Sequence, residues 1–406
     1  MARNASQAAR PVLTLIVLMT FAAALVAQFA TQGVALFLRS DEASSALIGM
    51  LYLAAAPYTL RFLWAPIVDR YPLGGAGRYG RWLIATQAAS CLTVAALFML
   101  SPAQTPGLIV AMVAIFMLAL GTQQTAIGGL MAAGLRPALF ARATSLQGAA
   151  SATAGMFLGA AVLYLLADIG WWAVIAALLS ISVAALFLSM WLSGRADVPR
   201  GSEPLPPFLS QFSIFRSFRA RQLFVVAFLV DCAILIPYAA KAVLLIDAGF
   251  SVSDGALYGI VGGNLLGIVG ALGIRPFVER FGGFRVLGGL GLLNIIVILA
   301  VLSFGWDQLG ETGTVGIILF SNGAVFASFA ASRAVALTLC RPGREATEMA
   351  SFVGIAAVLY LLLAGGGMAL LDRVGMASLS LAGVGLACLG VFLCFHWSSK
   401  AAEKPA

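Results

Sequence analysis

The chain has 406 residues, of which 61% are hydrophobic and only 10% are charged, and its mean hydropathy is +1.01. A water-soluble domain carries about 25% charged residues, so this composition excludes an ordinary soluble enzyme or binding domain. The formal net charge of +8 would suit a nucleic-acid-binding protein. The basic residues lie between long apolar stretches, however, and they therefore report membrane topology.

The apolar stretches predict an all-α polytopic membrane protein. A transmembrane helix needs about 20 apolar residues, and continuous apolar runs favour helices over a barrel. The twelve predicted spans are residues 12–37, 44–67, 82–101, 107–131, 145–168, 171–193, 222–246, 252–274, 284–304, 313–340, 349–371 and 376–397. The first span follows Arg3 and Arg10, as in a signal peptide, but its length and the eleven later spans predict a retained helix.

Basic residues predict which side of the membrane each loop occupies. Most of the 24 Lys and Arg residues fall in the termini and in alternate loops, whereas the opposite loops hold only Arg39 and Arg373. Cytoplasmic loops carry the excess of Lys and Arg. We therefore expect both termini to be cytoplasmic.

The residue types that hold metals and cofactors form no pattern. The five cysteines lie within or at the ends of predicted helices, without a Cys-x-x-Cys spacing, and the single histidine is His396. Such an arrangement predicts neither a disulfide framework nor a zinc site. A phosphate-binding Gly-rich motif is also absent, which argues against ATP-driven chemistry. We expect no cofactor, no resident metal and no enzymatic activity.

Two halves of the sequence repeat one another. The polar segment 194–221 separates six predicted helices in 1–193 from six in 222–406. The phrase "PIVDR" (Pro66 to Arg70) returns as "PFVER" (Pro276 to Arg280). A second pair, "RPALFARATS" and "RPGREATEMAS", follows the fourth helix of each half. Two matches at equivalent loops indicate an internal duplication.

This organisation resembles the major facilitator superfamily, in which two six-helix halves hold the substrate between them near the middle of the membrane. The resemblance implies that the acidic phrase and nearby arginines form a gate on the cytoplasmic face. The alternative is that the acids only cap helices while the arginines obey the topology rule. The gate candidates are Asp69, Arg70, Arg136, Glu279, Arg280 and Arg341.

A closer resemblance rests on "PYTLRFLWAPIVDRY" and "GRYGRWLIATQ" (residues 57–71 and 77–87). These phrases are similar to the branch that contains the AmpG muropeptide permeases, the acetyl-CoA transporters and the RhtX/FptX siderophore transporters. The small-residue fifth helix, ending at Trp172, resembles the RhtX/FptX members. The fourth helix departs from the branch, because residues 122–128 lack its two usual acids. That departure leaves a coupling role of helix 4 without support.

Asp231 is the acid that the sequence places deepest within a span, and buried charges of this kind mark ion or proton pathways. We expect Asp231 to be the proton-coupling residue. The alternative is a purely structural ion pair with Arg333 or Lys241. Polar residues on the helices that line the cavity in the superfamily are the substrate-cavity candidates. They are Gln28, Gln32, Gln123, Gln124, Lys241, Asn322 and Arg333.

Two stripes of small residues predict close helix packing. The resemblance places helices 5 and 8 against each other, so the stripes suit a sliding interface, and static packing is the alternative. The stripe residues are Ser151, Gly155 and Gly159 on helix 5, and Gly255, Gly259, Gly263 and Gly267 on helix 8.

The first functional hypothesis is a proton-driven importer of an iron siderophore, or of its ligand, across a bacterial inner membrane. The first alternative is an AmpG-type muropeptide permease, and the second is a non-transporting membrane receptor or assembly factor. The expected partners are the lipid bilayer and a small-molecule substrate, with an outer-membrane siderophore receptor as an indirect pathway partner. We expect a functional monomer and no nucleic-acid partner.

Overall fold

The computed structural model describes residues 2–40, 45–71, 73, 78–164, 166–194, 196, 198, 207–251, 254–255 and 257–402, and the regular structure in these ranges is helical. The α-helices are α1 (Ala2–Gln28), α2 (Val34–Ser40), α3 (Ser45–Ala54), α4 (Ala56–Thr59), α5 (Ala65–Arg70), α6 (Gly80–Phe98), α7 (Pro106–Gly134), α8 (Phe140–Tyr164), α9 (Leu166–Ser193), α10 (Phe218–Ala239), α11 (Lys241–Asp247), α12 (Gly263–Gly273), α13 (Arg275–Phe281), α14 (Gly283–Phe304), α15 (Gly310–Leu339) and α16 (Glu345–Ala402). Within the described ranges, ten helical segments are long and apolar enough to cross a membrane.

The helix predicted over 44–67 is broken into pieces. Proline lacks a backbone N–H and its ring clashes with the preceding helical turn. Pro57 and Pro66 accordingly stand in the first turns of new helices, α4 and α5, and a 3₁₀ turn at Leu60–Leu63 separates those helices. The prediction of one continuous helix was wrong here. The helix predicted over 222–246 is likewise divided, at Ala240.

Positive-φ glycines lie inside two of the long helices, α9 and α16. Gly170 in α9 has φ 78° and Gly375 in α16 has φ 76°. Glycine adopts this left-handed backbone without a steric penalty, so each residue joins two helices at a kink. The kinks separate the fifth from the sixth and the eleventh from the twelfth predicted span.

The first compact unit contains Met1–Pro137, Ala160–Ile214 and Cys340–Ile355. Within it α6 packs on both α7 and α9, and α1 packs on α9 and α7. Apolar side chains such as Leu83, Phe116 and Met19 are buried between these helices. The close contacts between these buried side chains stabilise the unit through dispersion attraction.

The second compact unit contains Ala138–Gly159, Phe215–Leu339 and Ala356–Ala406. Helix α15 lies at its centre and packs on α10, α12 and α14. These units are defined by spatial proximity, whereas the predicted halves 1–193 and 222–406 are defined by sequence repetition. The duplicated organisation stays a prediction.

Candidate functional site

Asp69 caps the helix that begins near residue 345. Its carboxylate is 1% exposed and accepts hydrogen bonds from the backbone N–H groups of Ala346 (3.2 Å) and Thr347 (2.7 Å). The Thr347 hydroxyl donates a third bond (2.6 Å). The first N–H groups of a helix have no partner within the helix, and the helix dipole favours negative charge there. Asp69 thus ties α5 to the start of α16.

Arg78, Tyr79 and Glu345 complete this polar network. The Tyr79 hydroxyl donates to Asp69 (2.7 Å) and to Glu345 (3.2 Å). Arg78 donates to Glu345 (3.0 Å), to Asp69 (3.4 Å) and to the Gly343 carbonyl (2.6 Å). We name these groups, with Thr347, the Asp69 network.

Burial and charge act in opposite directions on the Asp69 network. Burial raises the pKa of the Asp69 carboxyl above its ordinary value, whereas Arg78 and the bonds from Thr347 and Tyr79 act to lower it. Burial and the Asp69 carboxylate raise the pKa of Tyr79 well above its usual range, so its phenol keeps the proton that it donates. A buried charge is tolerated when partners of this kind surround it.

A second cluster lies beside the Asp69 network in the same unit. Glu348 is 0% exposed and accepts hydrogen bonds from the Arg341 backbone N–H (2.8 Å), from Arg341 Nε (2.7 Å) and from Ser213 Oγ (3.0 Å). A short contact with the other end of the Arg341 guanidinium completes the ion pair. Arg341 also donates to the Ser213 carbonyl (2.8 Å). The predicted gate residue Arg341 therefore fixes Ser213 to the first turn of α16 within the first unit.

The other gate candidates have different settings. Glu279 pairs with Arg275 one turn away (2.7 Å), and its side chain is 38% exposed. The Arg70 guanidinium carbon lies 4.3 Å from the centre of the Phe208 ring. Arg280 lies over Phe281, and Arg136 is exposed. The duplicated phrase thus places one acid in a buried network and its copy at an exposed helix surface.

Sequence reasoning missed most partners of Asp69. Arg78 and Tyr79 lie in "GRYGRW", a phrase already singled out for its family resemblance. Glu345, Thr347 and Glu348 lie in the repeated phrase that begins at Arg341. The signal that could have found them is the concentration of acids in the second copy of that phrase, where the first copy has none.

Asp231 is buried in the second unit with hydroxyl partners. It is 2% exposed, and its Oδ2 accepts hydrogen bonds from Ser328 on α15 (2.9 Å) and from Tyr360 on α16 (2.8 Å). Its Oδ1 has no hydrogen-bond partner among the described residues. The rings of Phe228 and Phe329 lie 5.3 and 5.8 Å from the Tyr360 ring, measured between centroids.

The alternative ion pair of Asp231 with Arg333 or Lys241 is not formed within the described part of the chain. Arg333 lies over the Phe329 ring, 5.6 Å from its centre, and Lys241 lies 5.1 Å from the centre of the Tyr238 ring. The alternative of a structural ion pair with either cation therefore has no support in the described residues. Hydroxyl groups from two neighbouring helices take their place.

Two of the amide candidates, Gln123 and Asn322, donate hydrogen bonds within their own units. Gln123 donates to Gln87 Oε1 (2.9 Å), and Gln87 donates to the Ser182 carbonyl (3.0 Å), which links α7, α6 and α9 in the first unit. Asn322 donates to Ile318 of its own helix (2.9 Å). Gln28 and Gln124 are half-buried, and the side chain of Gln32 lies outside the described residues.

One glycine of the helix 5 stripe lies against helix 8. A Cβ atom placed at Gly155 would lie 2.8 Å from Asn264 on α12, so α8 and α12 approach closely within the second unit. Ser151 is half-buried, and the surroundings of Gly159 lie outside the described residues.

The glycine stripe of helix 8 has close neighbours on α15 and α11. A Cβ at Gly263 would lie 3.0 Å from Asn322, and one at Gly267 would lie 2.8 Å from Phe326, both on α15. A Cβ at Gly259 would lie 3.1 Å from Leu245 on α11, which is also the nearest residue to Gly255. The nearest neighbours of these glycines thus lie on α15 and α11, and a sliding interface with helix 5 stays a prediction.

One protein family and one bacterial permease are similar in sequence to parts of this chain. The family described as "Acetyl-coenzyme A transporter 1" matches residues 12–124. The anhydromuropeptide permease of Escherichia coli (strain K12) is 26% identical over 327 residues, which cover 77% of this chain and 64% of the permease. The chain therefore spans less than two thirds of that permease.

Two solved structures share the fold over nearly the whole chain. A bacterial homologue of the iron transporter ferroportin, outward-facing with soaked iron, has a TM-score of 0.70 at 15% identity and covers 96% of this chain and 98% of its own. FucP, a major facilitator superfamily transporter in the outward conformation, has a TM-score of 0.69 at 11% identity, with 95% and 98% covered. The chain has the fold of this superfamily.

Proposed function

We propose that this chain is a secondary transporter that moves an organic solute across a bacterial inner membrane by alternating access. The observation that carries the proposal is Asp231, a carboxylate buried inside a candidate membrane span (Phe218–Ala239) of a fold shared with transporters. An acid at membrane depth costs several kcal/mol and is characteristic of ion and proton pathways. Twelve spans with both termini in the cytoplasm complete the proposed topology.

Asp231 is the proposed proton carrier. Ser328 and Tyr360 both donate to Oδ2, so Oδ1 is the oxygen left to take a proton. The two hydroxyls stabilise the carboxylate after the proton leaves, because a hydrogen bond to an ionised group is worth about 1.5–3 kcal/mol. Alternating access then exposes Oδ1 to one side of the membrane at a time.

The Asp69 network is the proposed cytoplasmic gate. It joins Asp69, Arg78 and Tyr79 of the first predicted sequence half to residues 343–347 of the second predicted half. Opening the cytoplasmic face requires these bonds to break, and closing it restores them. The exposed pair of Glu279 and Arg275 contributes little, since exposed ion pairs of this spacing are worth a few tenths of a kcal/mol.

The proposed solute is an anhydromuropeptide-type molecule, because the Escherichia coli permease aligns with 77% of this chain. The second candidate is an iron siderophore. It is favoured by the resemblance of the fifth helix to the RhtX/FptX transporters, and it would involve an outer-membrane siderophore receptor earlier in the pathway. A monomer suffices for either transport cycle.

Uptake by proteoliposomes tests the proposal. Purified protein is reconstituted, an inward proton gradient is imposed, and uptake of radiolabelled anhydromuropeptide and of a panel of ferric siderophores is measured. Accumulation of an anhydromuropeptide that collapses with a protonophore is the expected result. Accumulation of a siderophore alone would select the second candidate. Absence of uptake for every solute, by protein that remains folded and monodisperse, would favour a non-transporting receptor.

A further inference from the structure

Two arginines of the first unit are equally buried and differ sharply in their partners. Arg61 and Arg78 are each 5% exposed. Arg78 meets two carboxylates, Asp69 and Glu345, and the Gly343 carbonyl. Arg61 donates one hydrogen bond to the Tyr58 carbonyl (2.9 Å) and lies 4.6 Å from the centre of the Tyr58 ring. Among the described residues no carboxylate lies within ion-pair distance of Arg61.

A buried cation without a counter-ion is costly. The effective penalty for removing an ion from water is several kcal/mol, and only close opposite charges and hydrogen bonds offset it. A carbonyl and an aromatic ring supply part of that compensation. The guanidinium has five N–H donors in a planar fork that matches the geometry of a carboxylate. Within the described residues, most N–H donors of Arg61 therefore have no carboxylate to pair with.

The backbone at Arg61 is a break between helices inside the predicted span 44–67. Arg61 lies in the 3₁₀ turn Leu60–Leu63, between the two proline-started helices α4 and α5. Within a membrane, non-helical backbone occurs where it is buried in protein or lines a cavity. Broken helices of this kind form substrate sites in secondary transporters.

Three contacts hold this break in place. A Cβ at Gly121, in the middle of α7 (Pro106–Gly134), would lie 3.2 Å from the Arg61 Cβ, so glycine there allows the turn to approach. Trp64 donates from Nε1 to Thr122 on the same helix (3.0 Å). On the other side a Cβ at Gly354 would lie 2.7 Å from the Phe62 ring. The turn is thus positioned by packing that does not involve the Arg61 charge.

We propose that Arg61 binds a carboxylate of the transported solute and selects for anionic solutes. The inference rests on the proposed transport function. The solute supplies the counter-ion that the protein omits, and its carboxylate pairs with the free face of the guanidinium. In the empty protein the uncompensated charge lowers the stability of the fold, as is common where function conflicts with stability.

The first test measures stability without solute. Arg61→Gln removes the charge and keeps a donor for the Tyr58 carbonyl, so the thermal unfolding midpoint in detergent is expected to equal or exceed that of the wild type. Arg78→Gln is the matched variant, and it is expected to lower the midpoint because it leaves two buried carboxylates without their cation. A midpoint for Arg61→Gln as low as that of Arg78→Gln would show that Arg61 is structural and would overturn the inference.

The second test measures selectivity by calorimetric titration of the purified protein. The probes are an anhydromuramyl peptide with free carboxylates and the same peptide with its carboxylates converted to primary amides. The wild type is expected to prefer the acid form at least about 10-fold, the lower bound for one charge-assisted hydrogen bond. Arg61→Gln is expected to lose this preference, whereas Arg61→Lys and the exposed-site control Arg285→Gln are expected to keep it.

The outcomes separate this inference from the proposed function. A wild type that binds both forms equally or binds neither, or an unchanged preference in Arg61→Gln, overturns the role of Arg61. An Arg61-dependent preference in a protein that moves no solute in proteoliposomes counts against transport alone.

Discussion

Replacing Asp69 with asparagine tests the Asp69 network most directly. The substitution keeps the size of the side chain and one acceptor oxygen, which can still serve Tyr79 and Ala346. It replaces Oδ2 with an amide nitrogen, and Oδ2 is the atom that accepts from both the N–H (2.7 Å) and the hydroxyl (2.6 Å) of Thr347. It also removes the charge that faces Arg78 and the start of α16.

We expect Asp69→Asn to destabilise the closed state of the Asp69 network by about 3 kcal/mol. A buried N–H left without a partner costs about 1–3 kcal/mol, and the favourable interaction of a charge with a helix N-terminus adds about 0.3–1 kcal/mol. Loss of one partner from a buried ion pair can cost about 3–5 kcal/mol, but Arg78 retains Glu345 and the Gly343 carbonyl. A loss of about 3 kcal/mol corresponds to a roughly 100-fold shift in an opening equilibrium.

Hydrogen exchange measured by mass spectrometry can detect this shift. The N–H groups of Ala346 and Thr347 bond to Asp69 rather than within their helix, so their exchange reports the opening of the network. We expect a peptide covering 345–352 to exchange about 100-fold faster in Asp69→Asn, while residues 283–304 stay unchanged. Solute turnover is expected to slow because the closed state is less populated. Wild-type exchange in 345–352 would refute the assignment of Asp69 as the cap and gate.

Three further substitutions have defined outcomes. Glu279→Gln, the matched change in the second copy of the motif, should leave proteoliposome uptake within about twofold of the wild type, since an exposed pair contributes a few tenths of a kcal/mol; a loss equal to that of Asp69→Asn would contradict the difference in burial. Gly263→Leu should destabilise the fold by about 1–3 kcal/mol, because the new side chain overpacks against Asn322, and less folded protein should accumulate in the membrane. The control Gly289→Leu, at a site with open space around its Cβ position, should accumulate normally. Equal accumulation of the two variants would show that the stripe tolerates side chains. Asp231→Asn should abolish proton-driven accumulation and retain solute exchange, and full accumulation by this variant would remove Asp231 from the coupling mechanism.

Long apolar runs made several helices predictable from the sequence. The predicted spans 107–131 and 284–304 correspond to Pro106–Gly134 and Gly283–Phe304. A continuous apolar stretch leaves the chain few alternatives at membrane depth, because every backbone polar group needs an internal partner. Hydropathy carries no information on the partner of each backbone N–H. For that reason the predicted span 44–67 ran without interruption through the breaks at Pro57 and Pro66.

The partners of buried charges were harder to predict than the charges themselves. Asp231 stands out in the sequence as an acid within an apolar run. Ser328 and Tyr360 do not, since hydroxyl residues are common on membrane helices and their orientation depends on tertiary packing. Asp69 was likewise found through its repeated motif, whereas Thr347 is separated from it by 278 residues. The cations of the alternative interpretation, Arg333 and Lys241, were chosen by charge alone, and the geometry satisfies one oxygen of Asp231 with neutral donors.

Three buried charges of this chain differ in how completely the protein compensates them, and that difference predicts their roles. Asp69 accepts hydrogen bonds from five donor groups, so its charge stabilises the one conformation in which all five are present. Asp231 has two hydroxyl donors on a single oxygen, and Arg61 has one carbonyl and one ring. A buried charge that lacks full compensation is stabilised when an external partner arrives. For an acid that partner is a proton, and for an arginine it is an anion. The proposed roles therefore follow the order of decreasing compensation: a conformational lock for Asp69, a proton site for Asp231 and an anion site for Arg61.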